Sequence, residues 1–422
     1  MPLFKKGKRN QPSNYRPIAL TSQIVKIFEK CIINKIKPFL SRTGLIKPCQ
    51  HGFQDKASCI SQLLECMEEW TTSFDRKTST DIIYLDFAKA FDTVPHERLL
   101  AKLHAMGIQG NLLKWLRTFL TCRYQRVQLR NGGSSWTKVI SGVPQGSILG
   151  PTLFLLYIND LPDHVHSQIK LFADDTKIYR NIFNISDCHS LQNDLAAMAE
   201  WSRQWLLSFN ETKCVVLRLR KTLEFIYSLN STPLNEVPHQ KDLGVHISNN
   251  LHPRHHILEI TKSANKRLGL IKRCFSTRNK DTLSILYKSI VRPVLEYGSP
   301  VWSPWLKKDK ELLDKVQTNF SKICNNTDLE PLTSRRERCD LVETYKFLNH
   351  HYKTNPQTFF QRSQLQLRGH SFKLKKQHSY TDTRKHFFSN RVVNPWNQLP
   401  EETVTAPSLD AFKNHLRSLP HD

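Results

Sequence analysis

The sequence predicts an α+β fold that leads into a helical, basic C-terminal region. Up to about residue 220, short runs of β-branched and aromatic residues alternate with helical patterns, which is typical of mixed α+β domains. Beyond about residue 250 the pattern is mostly helical, and residues 262–280 contain seven Lys or Arg and no Asp or Glu. A length of 422 residues favours two or three domains.

Hydrophobic periodicity and turn-forming residues divide the chain into predicted elements. Residues 1–20 are basic and rich in Pro and Asn, which is typical of a loop or an extended arm. Apolar spacing predicts helices over residues 24–40, 60–70, 96–106, 112–121, 151–158 and 191–205. Strands are predicted over residues 81–87, 126–129, 136–140 and 214–219, with a strand pair over 169–178. Pro38 should disturb the end of the first helix, and Asn131-Gly132-Gly133 should form a hairpin turn.

The charge of the chain indicates a polyanionic partner. The sequence carries 62 Lys and Arg against 37 Asp and Glu, a formal net charge of +25. Such an excess is typical of nucleic-acid binding, although a merely soluble basic surface has the same signature. The 10 cysteines lack zinc-ligand spacing, and no apolar run reaches the length of a membrane span. We therefore expect a reduced, intracellular protein with no signal peptide and no membrane partner.

Three aspartates stand at the ends of apolar strands. Asp86 follows Ile82-Ile83-Tyr84-Leu85, and Asp174-Asp175 stands between Leu171-Phe172-Ala173 and a second apolar run. A carboxylate at the end of a buried strand is costly unless it is paired, hydrogen bonded or metal bound. An isolated Asp-Asp is usually a plain hairpin turn. Phosphoryl transfer with two divalent metal ions, however, needs a carboxylate set of this kind.

A glycine-rich turn lies between these aspartates. Gly142-Val143-Pro144-Gln145-Gly146-Ser147-Ile148-Leu149-Gly150-Pro151 combines glycines and prolines in a close-approach turn before a helix. Such a turn can lie beneath a template base or a nucleotide. Taken alone it is a weak signal, because most turns of this type only start helices.

A basic helix face is predicted after residue 250. Lys262, Lys266 and Arg273 fall on the side opposite the apolar stripe of that helix. The face is either an ordinary solvated surface or a set of cations offered to phosphates. Further on, residues 331–400 contain 13 Lys or Arg against 4 Asp or Glu, and we expect this stretch to be less compact.

Several motifs occur in a fixed order across nearly the whole chain. They are Lys5-Lys6-Gly7-Lys8, Asn14-Tyr15-Arg16-Pro17-Ile18-Ala19-Leu20, Gln50-His51-Gly52-Phe53, Tyr84-Leu85-Asp86-Phe87-Ala88-Lys89-Ala90-Phe91-Asp92, Gly142-Val143-Pro144-Gln145-Gly146-Ser147, Phe172-Ala173-Asp174-Asp175, Phe387-Phe388-Ser389-Asn390-Arg391 and Pro395-Trp396-Asn397-Gln398-Leu399-Pro400. In this order they resemble the reverse transcriptase of non-long-terminal-repeat (LINE-type) retrotransposons, with the jockey and chicken-repeat groups most similar. A match of several ordered motifs is highly specific.

The resemblance implies a right-hand polymerase architecture. Fingers would cover residues 1–80, palm 81–245 and thumb 246–330, followed by a basic C-terminal region over 331–422. The chain would begin inside the fingers, and the upstream endonuclease domain that such elements usually carry would be absent. The implied activity is RNA-directed DNA polymerisation, which copies retrotransposon RNA onto a primer 3′ hydroxyl. Its implied partners are an RNA template, a DNA primer or target and deoxynucleoside triphosphates.

The resemblance also implies a cofactor and its ligands. Two Mg²⁺ ions, for which Mn²⁺ can substitute, would be bound by Asp86 and Asp174, with Asp175 in support and the Phe87 carbonyl assisting. Lys213, in Asn210-Glu211-Thr212-Lys213, matches a candidate proton donor to pyrophosphate. The protein would act in the nucleus, after assembly on RNA in the cytoplasm.

Nucleotide contacts follow from the same resemblance. Arg16 and a lysine near Lys6 or Lys8 would hold the triphosphate, and Phe91 would exclude a 2′ hydroxyl as a steric gate. Gln145 and Gly146 would line the nucleotide and the template. The segment Lys241-Asp242-Leu243-Gly244-Val245 resembles a primer-grip hairpin, and the basic helix face would contact the template–primer duplex.

One segment departs from the family pattern. Family members commonly carry basic residues after Gly52-Phe53, whereas this chain has Gln54-Asp55-Lys56-Ala57-Ser58. Nucleotide affinity should therefore be reduced, unless Lys56 or Arg16 supplies the charge. Three alternatives stay open: a domesticated protein that binds RNA without polymerising, a maturase-like splicing cofactor built on the same palm, and a decaying copy with no function.

Overall fold

The computed structural model describes residues 1–5, 7–129, 132–276, 279–324, 329–363 and 369–419. Two residues named above, Lys6 and the turn residue Asn131, lie outside the described residues. Up to residue 158 the elements are β1 (Pro2–Phe4), β2 (Tyr15–Pro17), α1 (Gln23–Thr43), α2 (Cys59–Asp75), β3 (Ser79–Leu85), α3 (Ala90–Thr93), α4 (His96–Ala105), α5 (Gly110–Thr121), β4 (Tyr124–Gln125), β5 (Gln128–Leu129), β6 (Gly132–Gly133), β7 (Thr137–Lys138) and α6 (Leu149–Ile158).

The second part of the chain adds strands up to residue 248 and helices after it. The elements up to residue 248 are β8 (Gln168–Phe172), β9 (Asp175–Ile182), α7 (Ile185–Trp205), β10 (Val215–Leu219), β11 (Ser228–Leu229), β12 (Thr232–Pro233), β13 (Asn235–Glu236), β14 (His239–Asp242) and β15 (Val245–Ser248). The helices that follow are α8 (Arg254–Cys274), α9 (Lys280–Leu286), α10 (Arg292–Glu296), α11 (Ser299–Trp302), α12 (Lys307–Cys324), α13 (Leu332–Leu348), α14 (Asp382–Lys385), α15 (Phe388–Arg391), α16 (Val393–Asn397), α17 (Glu401–Val404) and α18 (Leu409–Ser418).

A five-stranded sheet in the order β13-β10-β3-β9-β8 forms the centre of the fold. Its central strand β3 is buried along its whole length. Because successive side chains of a strand point to opposite faces, Ile82 and Tyr84 face one core while Ile83 and Leu85 face the other. The first core includes α2 and α8, and the second includes α4, α6 and α7. This arrangement confirms the predicted mixed α+β organisation.

One local prediction needs correction, and another holds with shifted bounds. Helix α1 continues through Pro38 to Thr43, so this proline does not disturb its end. The predicted hairpin forms, with β5 paired to β6 next to the turn and β4 paired to β7 further from it, but its strands are shorter than predicted. Short strands of exposed residues have little apolar contact to set their register, which the sequence pattern therefore did not determine.

The expectation that residues 331–400 are less compact was wrong. Phe359, Phe388 and Trp396 are almost fully buried, and they belong to the same core as Trp70 of α2. The high positive charge of this stretch suggested a loose tail, but its aromatic residues bury against the rest of the chain. Within the described residues, no helix has both the length and the apolar content needed to cross a bilayer.

Candidate active site

The strand pairing brings the three predicted aspartates together. Strands β8 and β9 form a tight hairpin in which Phe172 pairs with Asp175, and Ala173 at its tip adopts a φ of 57°. Strand β3 lies beside β9, with Leu85 opposite Thr176. Because antiparallel register advances by one residue on each strand, Asp86 follows at the level of Asp175.

A motif from the N-terminal part of the chain supports this hairpin. The Gln50 side-chain oxygen accepts hydrogen bonds from the backbone N–H groups of Gly52, at 2.8 Å, and Ala173, at 3.0 Å. A Cβ on Gly52 would lie 2.3 Å from the Ala173 nitrogen, so only glycine allows this approach. In the sequence, Gln50-His51-Gly52-Phe53 is notable only through the family resemblance. The structure gives it a function, which is to hold the aspartate hairpin in place.

The carboxylates of the hairpin are electrostatically strained. Burial raises the pKa of Asp174, and the nearby Asp86 carboxylate raises it further. Burial, with the charges of Asp174, Asp242 and Asp86, raises the pKa of Asp175 to about 6. Opposite charge favours ionised carboxylates, so a bound cation would relieve this repulsion. The donor set therefore fits a divalent metal, although no three acidic, His or Cys side chains among the described residues converge into a preformed metal cage.

Lys213 reaches the candidate metal site. Its Nζ lies 2.6 Å from the Asp86 Oδ2, and both side chains are partly exposed. Lys213 stands at the end of a short 3₁₀ turn, and the preceding Asn210 donates its N–H to the Asp86 carbonyl at 2.7 Å. The ammonium group thus supplies positive charge beside a predicted metal ligand, and its role as a proton donor stays a prediction.

The two predicted aromatic residues occupy different environments. Phe87 is buried and its ring stacks on Phe209 at 4.3 Å. Phe91 is partly exposed, stacks on Phe154 at 4.4 Å and meets Phe53 edge-on at 6.4 Å. The Phe91 ring is therefore fixed by core contacts on one side and open on another. This position is compatible with both a core residue and a gate.

The glycine-rich turn packs between the Asp92 segment and the N-terminal arm. Gln145 accepts a hydrogen bond from the Ala19 N–H at 2.7 Å, and its side chain donates to Asp92 Oδ1 at 3.0 Å. Gly146 has a φ of 110°, and a Cβ there would lie 2.7 Å from the Ala19 carbonyl oxygen. The buried Glu29 carboxylate accepts the N–H groups of Ile148 and Leu149 at the start of α6. That contact was not predicted, since nothing in the spacing of α1 pointed to it.

Cations on the N-terminal arm act on the same region. Arg16 is exposed on β2, opposite Leu3 of β1. Burial raises the pKa values of Asp92 and Asp174, and the charges of Arg16 and Lys5 oppose that rise in both. Lys5 was part of a recognised motif, but it was not chosen as a ligand because the basic run offered several equivalent lysines.

The departing segment around Gln54 contacts the C-terminal region. Lys353 donates its backbone N–H to the Lys56 carbonyl at 3.0 Å, and its Nζ lies 3.4 Å from Gln54 Oε1. Phe53 and Lys56 both adopt left-handed φ values, 53° and 57°. Lys56 itself is exposed. Lys353 lies 299 residues from Gln54 in sequence. It therefore brings positive charge to the position where a basic residue was expected.

Helix α8 presents the predicted basic face to solvent. Lys262, Lys266 and Arg273 are exposed, while Ala264, Leu268 and Ile271 on the other side are buried. The amphipathic reading of this helix is confirmed. Whether its cations contact phosphates stays a prediction.

The predicted primer-grip segment forms a hairpin between β14 and β15. The hairpin is tied to the aspartate hairpin by a buried ion pair between Asp242 and Lys177 of β9. This pair was not predicted, because the two residues are distant in sequence and neither belongs to a charge pattern.

A comparison with protein families decides the relationship of the chain. A model of the family described as "Reverse transcriptase (RNA-dependent DNA polymerase)" matches residues 4–247. This chain belongs to the reverse transcriptase family. The matched range includes the three aspartates, the glycine-rich turn and the five-stranded sheet, and members of the family depend on divalent metal ions.

Curated relatives place the chain beside mobile-element reverse transcriptases. The "Probable RNA-directed DNA polymerase from transposon X-element" of Drosophila melanogaster is 30% identical over 335 residues, covering 76% of this chain and 37% of the relative. The "RNA-directed DNA polymerase from mobile element jockey" of Drosophila funebris is 27% identical over 358 residues, covering 80% and 38%. The predicted jockey-like resemblance is thus confirmed. The chain spans little more than a third of the length of these relatives.

Among solved structures, an apo telomerase from Candida Tropicalis is 12% identical to this chain. The likeness covers 78% of this chain and 54% of that one, with a TM-score of 0.43.

Proposed function

We propose that this chain catalyses RNA-directed DNA synthesis, adding deoxynucleotides to a primer 3′ hydroxyl on an RNA template. The observation that carries the proposal is the strand register that sets Asp86 beside the Asp174-Asp175 hairpin, within a reverse transcriptase domain. Fingers over residues 1–80, palm over 81–245 and thumb over 246–330 are part of the proposal. Because the primer would be DNA, the proposed reaction belongs in the nucleus.

Two Mg²⁺ ions are the proposed cofactor. Asp86 and Asp174 would hold them, with Asp175 in support and the Phe87 carbonyl assisting. When bound, the ions would activate the 3′ hydroxyl and stabilise the leaving pyrophosphate. Hard oxygen donors suit Mg²⁺, and the raised pKa values of Asp174 and Asp175 support a site that needs added positive charge.

Residues around the aspartates would bind and orient the nucleotide. Arg16 and Lys5 would neutralise triphosphate charge, since both already act electrostatically on Asp174. Gln145 and Gly146 would support the base pair from the glycine-rich turn, and Phe91 would limit space at the sugar 2′ position. Lys213 would donate a proton to pyrophosphate from its position beside Asp86.

Primer extension by residues 1–422 on an RNA template with Mg²⁺ tests the proposal. Asp174→Asn should lower turnover by orders of magnitude, because carboxylate ligands hold the ions. RNA affinity should change little, since phosphate contacts elsewhere dominate binding. Asp410→Asn, at an exposed carboxylate on α18, is the matched control and should behave as wild type.

Activity of Asp174→Asn within about threefold of wild type would contradict the metal site. A wild-type chain that binds RNA but extends no primer would instead favour the RNA-binding alternative. The specific observation behind that alternative is the Gln54 segment, where an uncharged side chain stands at the expected basic position.

A further inference from the structure

A cavity lies at the junction of the helical region and the C-terminal region, away from the aspartates. Its volume is about 170 Å³, which exceeds by several-fold the space that one water molecule needs. Its walls come from the segment after α11, from α12 and α13, and from the stretch between α14 and α16. None of its lining residues belongs to the candidate active site.

Arg336 lines this cavity and is only 2% exposed. Its Nη2 donates to Thr333 Oγ1 at 3.0 Å, whereas its Nη1 is buried without a hydrogen-bond partner among the described residues. An arginine presents five N–H donors and stays charged in proteins. A buried charged donor without a partner is costly, so an acceptor within reach of this guanidinium would stabilise it.

No carboxylate among the described residues forms an ion pair with this guanidinium, although the charges of Asp314, Asp340 and Glu337 act on it. Asp340 is bound on both oxygens by Arg391, at 2.7 and 2.8 Å. Glu337 is exposed at the rim, and Lys310 adds a further cation to the wall. The lining therefore carries three permanent cations, Lys310, Arg336 and Arg391, against two carboxylates. An anion is the complementary ligand.

An aromatic wall borders the same cavity. The rings of Trp305 and His386 stack nearly parallel, with centroids 5.7 Å apart. Burial and the nearby cations Lys385, Arg391 and Lys310, against Asp382, lower the pKa of His386, which favours the neutral ring. Proteins that bind single-stranded nucleic acids combine cations, which contact phosphates, with aromatic rings, on which bases stack.

We propose that this cavity is a phosphate-binding site, in which Arg336 and Lys310 hold the phosphate oxygens beside the Trp305–His386 wall. The phosphate can belong to a nucleic-acid backbone, to a nucleic-acid end or to a free ion, and the chemistry of recognition is the same. Guanidinium and phosphate match in geometry and charge, and the orphan Nη1 gains its acceptor. Phosphate binding in this cavity does not depend on the proposed polymerase activity.

Calorimetric titration of the full chain in EDTA tests the site, because chelation suppresses metal-mediated phosphate binding at the aspartates. The probes are inorganic phosphate, a 5′-hydroxyl RNA decamer and the same decamer with a 5′-phosphate. Arg336→Gln should weaken binding of at least one probe about 10-fold or more, as expected for one charge-assisted contact. Lys310→Gln should weaken the same probe to a smaller extent. Lys308→Gln, an exposed lysine two residues from Lys310, is the control with the same charge change.

The pattern among probes identifies the source. Equal weakening for both decamers indicates an internal phosphodiester, weakening only for the phosphorylated decamer indicates a 5′ end, and weakening only for inorganic phosphate indicates a free ion. Circular dichroism of each variant establishes that it is folded. If Arg336→Gln does not fold, Lys310→Gln decides by the same comparison. Binding of all three probes by the folded variants as tightly as by Lys308→Gln would overturn the proposal.

Discussion

Single residues in this protein do more than one task, and Phe91 is the clearest case. Its ring stacks on Phe154 at 4.4 Å, so it contributes to the core, yet it is partly exposed next to the glycine-rich turn. Its backbone carbonyl also accepts a hydrogen bond from the Val143 N–H at 2.8 Å. A side chain held from both its ring and its backbone has little freedom to move aside for a larger sugar.

We expect Phe91→Ala to admit ribonucleotides, because the ring would no longer fill the space at the 2′ position. The same change should lower the free energy of unfolding by about 3 kcal/mol, the lower end of the range for lost aromatic side chains. Steady-state incorporation of ribo- and deoxynucleotides measures the first effect, and urea unfolding measures the second. Phe209→Ala removes a ring from the neighbouring stack and should destabilise without changing sugar selection.

A folded Phe91→Ala protein that still rejects ribonucleotides would make Phe91 a core residue and not a gate.

At Gln54 the chain departs from the family pattern, so another residue would have to supply positive charge there. Lys353 approaches its side chain at 3.4 Å, and Lys56 lies two residues away on an exposed loop. Arginine has a permanent charge and five donors, whereas glutamine has two weak donors and no charge. If position 54 faces the triphosphate, Gln54→Arg should lower the nucleotide KM roughly 10-fold or more.

The maximal rate should barely move, because the gain would be uniform binding. Lys353→Ala and Lys56→Ala separate the sources of charge in steady-state kinetics on a homopolymer RNA template. A raised KM for Lys353→Ala would show that the C-terminal region supplies it. An unchanged KM for Gln54→Arg, with a raised KM for Lys56→Ala, would instead assign the triphosphate contact to Lys56.

At the scale of elements, α8 separates an apolar face from a basic one. The buried stripe packs against the core, so the exposed cations are free to meet a duplex. Replacing Lys262, Lys266 and Arg273 together with Gln should flatten the slope of log affinity against log salt by roughly 0.9 for each lost phosphate contact on duplex DNA. Affinity of a template–primer duplex at several salt concentrations measures the slope.

The control for this helix is a triple replacement of Lys307, Lys322 and Arg417 with Gln, which removes equal charge from exposed positions elsewhere. Equal slopes for the two triple variants would mean that the α8 face is only solvated.

Elements with their own apolar pattern were predictable, and contacts between distant elements were not. The strand ending at Asp86 and the hairpin around Asp174-Asp175 follow from short apolar runs, which is why the aspartates were found from sequence. Helix α7 was recognised from about Leu191, but it starts at Ile185, where Asn184 and Asp187 form a capping box that was overlooked. Glu29 and Gln50 were missed as supporting residues, because their partners lie 119 and 123 residues away.

At the scale of the whole molecule, the C-terminal region is fastened to the N-terminal helix α2. Arg384 forms a buried ion pair with Glu68 and also donates to Thr71 Oγ1 at 3.1 Å. Asp75 at the end of α2 accepts the N–H groups of Tyr380, at 2.9 Å, and Thr381, at 2.7 Å. Charge counting suggested a loose basic tail, whereas specific pairing of those charges makes the tail part of the folded body.

The polar contacts of α2 with the C-terminal region extend to the aspartate hairpin. Glu65 of α2 accepts a hydrogen bond from Thr354 of the C-terminal region. Its other contacts are with His51 at 3.2 Å and with Lys170 of β8 at 2.6 Å. Burial opposes ionisation of Glu65, but the His51 hydrogen bond and the charges of Lys170 and His51 lower its pKa to about 2. A chain of polar contacts thus runs from residue 354 to strand β8, which leads into the aspartate hairpin.

We therefore expect the C-terminal region to stabilise the reverse transcriptase domain, and Arg384→Leu tests this. Removing one partner of a buried ion pair leaves an uncompensated charge, which typically costs about 3–5 kcal/mol. The free energy of unfolding measured in urea should fall by that amount. The double variant Arg384→Leu/Glu68→Leu removes both charges and should recover much of the loss, since an apolar pair often replaces a buried ion pair at little cost.

Arg417→Leu, at an exposed arginine of α18, is the control and should change stability by less than about 0.5 kcal/mol. If Arg384→Leu is as stable as this control, the C-terminal region is only loosely attached, as its charge alone first suggested.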